Sequence, residues 1–155
     1  MKNTLTPVAL LSLLFLFISC NNSQEISDEE IIQNLNGYWK IHKVERPQFN
    51  DIKEYQFSNS AEYIELYPDL EGFRTKLEPQ LDSTFKRSSK AETFAIKREN
   101  DSIKMHYKTP MDQWTETLIS LDKDEFSVEN HKGFTYTYKR FESLAKELEE
   151  HEQEP

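Results

Sequence analysis

One cysteine, four histidines and 28 acidic side chains are the groups in this 155-residue chain from which chemistry could be built. Cys20 ends the apolar run "LLFLFIS" and is followed by small polar residues. A catalytic thiol needs a neighbouring base and a depressed pKa, and no histidine lies near it in sequence. A disulfide needs a second cysteine, which the chain lacks. His42, His106, His131 and His151 are widely spaced, with no H-x-x-x-H pair, so a zinc site is not expected. Carboxylates such as Glu62 and Glu65 lie close together, but at this acidic density proximity arises by chance. General acid–base work further needs a pocket that separates two pKa values. Serine, histidine and aspartate stand in no recognisable catalytic arrangement. The expectation is a protein without enzymatic activity, catalytic residues, metal or cofactor.

Composition narrows the partners. The formal net charge is −9. Phosphate neutralisation requires clustered lysine and arginine, so nucleic acid is not an expected partner. The one basic cluster, "KRSSK" from Lys86 to Lys90, reads as a solvated loop. Ten Phe, seven Tyr and two Trp are too many aromatics for a disordered chain, and the length fits one domain.

The first 19 residues carry one lysine and then an apolar stretch, Val8 to Ile18, too short to span a bilayer and of signal-peptide length. With Ser19 before Cys20, the segment resembles a bacterial lipobox, although Phe17 stands where that pattern prefers Leu. The resemblance implies cleavage before Cys20 and acylation of its sulfur. An ordinary secretory signal is the alternative. Two or three acyl chains anchor firmly where one is marginal. Asn21, in the place where Asp marks inner-membrane retention, implies the bacterial outer membrane, on its periplasmic face or at the cell surface. "SDEE" (Ser27 to Glu30) loosely resembles an acidic surface-export tag; it also reads as a helix start with Ser27 as N-cap.

The elements that must position these groups follow in order. Residues 20–27 form a lipidated tether, and Asp28 to Leu35 a short helix with Ile31, Ile32 and Leu35 on one stripe. From Asn36 the apolar period becomes two. Strands are predicted at "GYWKIHKVE", Ala61 to Tyr67, Gly72 to Glu78, "TFAIKR", "SIKMHYK", "QWTETLISL", "EFSVEN" and "GFTYTYKRF", with "RPQFNDIKE" as a polar loop. Eight or nine strands joined by short turns make an all-β, up-and-down antiparallel barrel over residues 28–141, because open edges invite aggregation. Residues 142–155 continue an apolar stripe from Phe141 through Leu144, Ala145 and Leu148, giving a C-terminal helix with an acidic, fraying end.

At "LNGYWKI" the chain resembles the lipocalin and calycin families, whose first strand carries Gly-x-Trp; Gly37 and Trp39 match it. With "GFRTKLEPQLD" and "FTYTYKRF" it is similar to the lipocalin-like lipoproteins of Bacteroidota. That resemblance implies that Trp39 closes one barrel end beneath a basic residue of the last strand. Alternation selects the same residue independently: Phe134, Tyr136, Tyr138 and Arg140 share a face, and barrel closure sets Arg140 beside Trp39. The second lipocalin signature, Thr-Asp-Tyr, has no clear counterpart. Tyr136-Thr137-Tyr138 replaces the Arg-x-Tyr of fatty-acid binders, so a carboxylate clamp is not implied.

Alternation also collects Phe94, Ile96 and Arg98, then Met105 and Tyr107 with Ile103, then Trp114 with Glu116 and Leu118, and finally Tyr136 and Tyr138, on inward faces. Such walls suit a small hydrophobic or amphipathic ligand; the same side chains could simply fill a narrow barrel. Arg74 and Arg98 are candidate ligand-lining residues if inward, because a buried arginine requires an anion; otherwise both stand at strand ends in water. His42 and His106 face outward. The leading expectation is ligand binding without chemistry, and the alternative is an accessory subunit docking on an envelope protein complex.

Overall fold

Ser27 accepts a hydrogen bond from the Glu30 amide (3.1 Å) and opens helix α1, Asp28–Leu35, whose first turn carries three acidic residues against the positive end of the helix dipole. Ile31 and Leu35, one turn apart, are fully buried. The structure, a computed structural model, describes residues 26–55, 61–80 and 85–141. The apolar leader, Cys20, most of the tether and the expected C-terminal helix lie outside the described residues.

Nine strands follow: β1 Gly37–Arg46, β2 Asp51–Glu54, β3 Ala61–Leu66, β4 Glu71–Pro79, β5 Phe85–Glu99, β6 Ser102–Lys108, β7 Gln113–Leu121, β8 Glu125–Asn130 and β9 Thr135–Arg140. β1 pairs antiparallel with β3, each of β3 to β8 with the next, and β9 with β1, which closes an eight-stranded barrel. The turns are short. In the β5–β6 hairpin Asn100 and Asp101 both take the left-handed conformation (φ 49° and 59°), which suits a tight two-residue turn.

Two segments differ from expectation. "RPQFNDIKE" is not a loop: after a 3-10 turn at Pro47–Phe49, β2 pairs with the distal half of β1 from Lys43↔Glu54 to Arg46↔Asp51. "KRSSK" is not a solvated loop either; it lies inside β5. Register jumps there from Thr75↔Ala91 to Leu77↔Arg87, a wide bulge that hides the alternation. The buried Thr75 hydroxyl donates to the Ser88 carbonyl (3.0 Å), with the Lys90 carbonyl at 3.4 Å, and holds the bulge.

Side chains fill the half of the barrel next to α1. Trp39, Ile64, Met105 and Val128 are completely buried with Ile31 and Leu35. Phe126 stacks on Tyr138 (centroids 4.7 Å, 8°) and meets Trp39 edge-on at 4.6 Å. A second apolar cluster, Ala61, Leu77 and Phe141, is separate from this core.

Candidate functional site

The capped end places three residues singled out above. Arg140 lies opposite Trp39 across the β1–β9 pair, its guanidinium carbon 3.9 Å from the indole. It donates to the carbonyls of Asn36 (2.5 Å), Asn34 (2.6 Å) and Lys123 (2.7 Å). The Trp39 indole N–H donates to the Leu35 carbonyl at 2.9 Å. The last carbonyls of α1, which lack helical partners, are thus met from β1 and β9. Gly37 is required here: its φ is +129°, and a Cβ would come within 2.5 Å of Arg140 Nη1. Arg98, on the same inward parity as Ile96, sits at this end too, donating to the Ile26 carbonyl (2.6 Å) and Asp28 (2.8 Å). It ties down the start of α1 and does not border the cavity described below.

The other half of the barrel carries charge. On β4, Arg74 faces inward opposite Ile64 of β3 and Glu92 of β5. Its side chain is 11% exposed, so the alternative of a strand-end arginine in water is corrected. Burying a guanidinium requires carboxylates, and three are supplied. Nε and Nη2 both donate to Glu92 Oε2 (3.1 and 3.0 Å), and Nη1 reaches Glu116 Oε2 at 3.4 Å. Glu62 Oε2 lies 3.8 Å from Nε, beyond hydrogen-bond length. The guanidinium also lies 4.4 Å from the Tyr107 ring centroid, and that ring stacks on Trp114 at 5.0 Å.

One buried cation therefore faces three carboxylates. Burial pushes the Glu62 carboxyl above its ordinary value; Arg74 and Lys76 pull it down, while Glu92 and Glu116 add to the rise. Glu62 Oε2 is buried and has no hydrogen-bond partner among the described residues. Arg74 stays charged: burial opposes its charge, but Tyr107, Glu62 and Glu116 outweigh that and raise its pKa. Burial raises the Tyr107 and Tyr138 phenols, which stay neutral.

Glu62, Arg74 and Glu92 border a cavity of about 610 Å³ at this end. The β5 bulge, Ser88 to Lys90, forms one side, and the β6–β7 turn, Thr109 to Met111, another. Of the residues expected to line a ligand site, Arg74 alone borders this cavity. Phe94, Ile96, Met105, Tyr107 and Tyr138 pack into the core, with Trp114 and Tyr136 against them. These side chains belong to one packed core, with Tyr107 on Trp114 and Tyr138 on Phe126 stacking as neighbours on paired strands.

Glu62 and Glu92 are the functional candidates that sequence reasoning passed over. Both carried a signal, since Glu62 shares parity with Ile64 and Leu66, and Glu92 with Phe94 and Ile96. Met111, 96% exposed at the cavity rim, carried none.

The histidines stand apart. His106 sits on the outer face, 3.0 Å from both Glu99 and the Thr115 hydroxyl. His42 occupies the β1 bulge, where the register slips between Ile41 and Lys43. Among the described residues, no group of three His, Cys, Asp or Glu is placed to hold a metal ion.

No protein-family model matches the chain, and no curated protein matches it. Among solved structures, it is similar to a lipocalin-like protein from Bacteroides uniformis ATCC 8492. The identity is 10% and the TM-score 0.44, over 69% of this chain and 98% of that one. The barrel itself stands on the strand pairing described above.

Proposed function

We propose that this chain is a lipid-anchored, lipocalin-like binding protein of the bacterial outer membrane, holding a small amphipathic molecule in the barrel mouth without transforming it. One observation carries the binding: the cavity of about 610 Å³ sits on a buried ion cluster. Its size falls among small-molecule sites, which span roughly 300–1,000 Å³, and barrel mouths are a preferred place for them. Fixed charge at the floor orients a polar head, while Ala91, Pro110 and Met111 offer apolar surface to the body. The anchor rests on the apolar leader and Cys20, which also keep the barrel at a surface where amphipathic molecules concentrate.

The test is purification of the full chain from native membranes, with mass spectrometry of what accompanies it. A small molecule released on denaturation, in stoichiometric amount, is expected. A stoichiometric protein partner with no small molecule would favour docking on an envelope complex instead. In parallel, Cys20→Ser should move the protein from the membrane fraction to the soluble one. Retention in the membrane would refute the lipid anchor and leave the cavity reading intact.

A further inference from the structure

We infer that the molecule taken by the barrel mouth carries a cationic nitrogen, an amine or guanidine, whose N–H groups pair with Glu62 on the cavity floor. This inference rests on the proposed binding function and specifies the chemistry of its ligand.

Charge balance is the first ground. Glu62, Glu92 and Glu116 surround Arg74, with Glu92 a third exposed, so even the buried part of the cluster, Glu62, Glu116 and Arg74, holds one more acid than base. Glu92 and Glu116 take the N–H groups that Arg74 directs at carboxylates, and neither Arg74 distance to Glu62 nor any other contact gives Glu62 Oε2 a hydrogen bond among the described residues. An orphaned buried acceptor carries a desolvation penalty that a donor removes.

Location is the second ground. Glu62 borders the cavity, so a donor entering from the mouth meets its side chain and reaches the buried Oε2 by a small shift of the carboxylate. Lys76 and Lys90 also border the cavity, but both are exposed and screened by water. An anionic head would meet an acid-rich floor whose arginine is already engaged, and burying it there would add like charge. A cationic head neutralises the excess and satisfies Glu62 in one step. A metal ion does not offer the same fit: the three carboxylates are gathered around the Arg74 cation, and among the described residues no group of three is placed to hold a metal.

Hexylamine, 1-hexanol and hexanoate share one apolar chain and differ only in the head, so they separate charge from burial. The full chain, held in lipid nanodiscs, is titrated with each at about pH 8, where the amine is cationic and the acid anionic, and binding is read from Trp fluorescence and thermal shift. Trp114, stacked on Tyr107 beneath Arg74, is the reporter. Hexylamine is expected to bind about tenfold more tightly than either competitor, the scale of a charge-assisted hydrogen bond. Glu62→Gln should erase that preference while hexanol affinity stays level. Equal or tighter binding of hexanoate would overturn the amine assignment and leave the cavity reading standing. Failure of all three probes to bind would overturn both. The comparison of probes on the unaltered protein decides the matter even where the variant folds poorly.

Discussion

Glu62 shows how one side chain couples burial to pH. Its carboxyl sits above its ordinary 4.5 because burial penalises the charge more than Arg74 and Lys76 relieve it, with Glu92 and Glu116 adding to the rise. Between 4.5 and the raised folded value, the folded state keeps a proton that the unfolded state has released. Stability contributed by this group is therefore full below 4.5 and falls as pH rises through that window. Glu62→Gln keeps the shape and cannot ionise, so the fall should vanish. Measured by thermal melts, the stability of the variant relative to the parent should increase as pH is raised above 4.5. A difference that stays flat across pH would show that Glu62 is not held above its ordinary value. The sequence displayed Glu62 on the parity of Ile64 and Leu66, yet not its partners. Those come from β4, β5 and β7: strand pairing sets Arg74 beside Glu92, while Glu116 reaches them from three strands beyond β4.

At the scale of elements, α1 and β9 are joined by Arg140; its place beside Trp39 was legible from alternation and closure, while its bonds to the Asn34 and Asn36 carbonyls were not. Strands with at most a one-residue slip were legible too: "SIKMHYK", "QWTETLISL" and "EFSVEN" are β6, β7 and β8 to the residue, although β7 slips against β8 between Leu118 and Ser120. The wider bulge of β5 was not. In β5 the extra residues opposite Lys76 break the period of two, so Lys86 to Lys90 read as loop. In β1 the slip at His42 returns Val44 to the face of Trp39 and Ile41, opposite Tyr136. The Arg140 joint yields a double-mutant cycle. Arg140→Ala removes three hydrogen bonds and the indole contact and should lower stability by about 2–4 kcal/mol. Gly37→Ala is strained by its φ and also strikes Arg140. With both changes the steric part disappears, so the combined loss should fall short of the sum by about 1 kcal/mol. Additive losses in denaturant melts would mean that Gly37 is needed for its backbone alone.

The whole molecule divides along the barrel axis. Toward α1, aromatic and aliphatic side chains meet and leave the interior filled; toward the mouth, an ionic layer supports an open cavity. Stability and recognition should accordingly map to opposite ends. Met105 is fully buried in the filled half, and Met105→Ala should cost about 2–5 kcal/mol through the lost packing and residual cavity. Its effect on the order in which the hexyl probes bind should be nil, since Met105 does not border the mouth. Met111 is the converse. At 96% exposure its side chain is held by little, and Met111→Ser should leave the melting temperature within the range of ordinary surface changes, about 0.5 kcal/mol. A flexible thioether at the rim is suited to closing over an apolar body. Its loss should weaken hexylamine and hexanol by the same factor, about two- to fivefold, because burial of the chain is indifferent to the head. A change confined to hexylamine would place Met111 in contact with the nitrogen, and loss of stability would show that the mouth and the filled half fold as one unit.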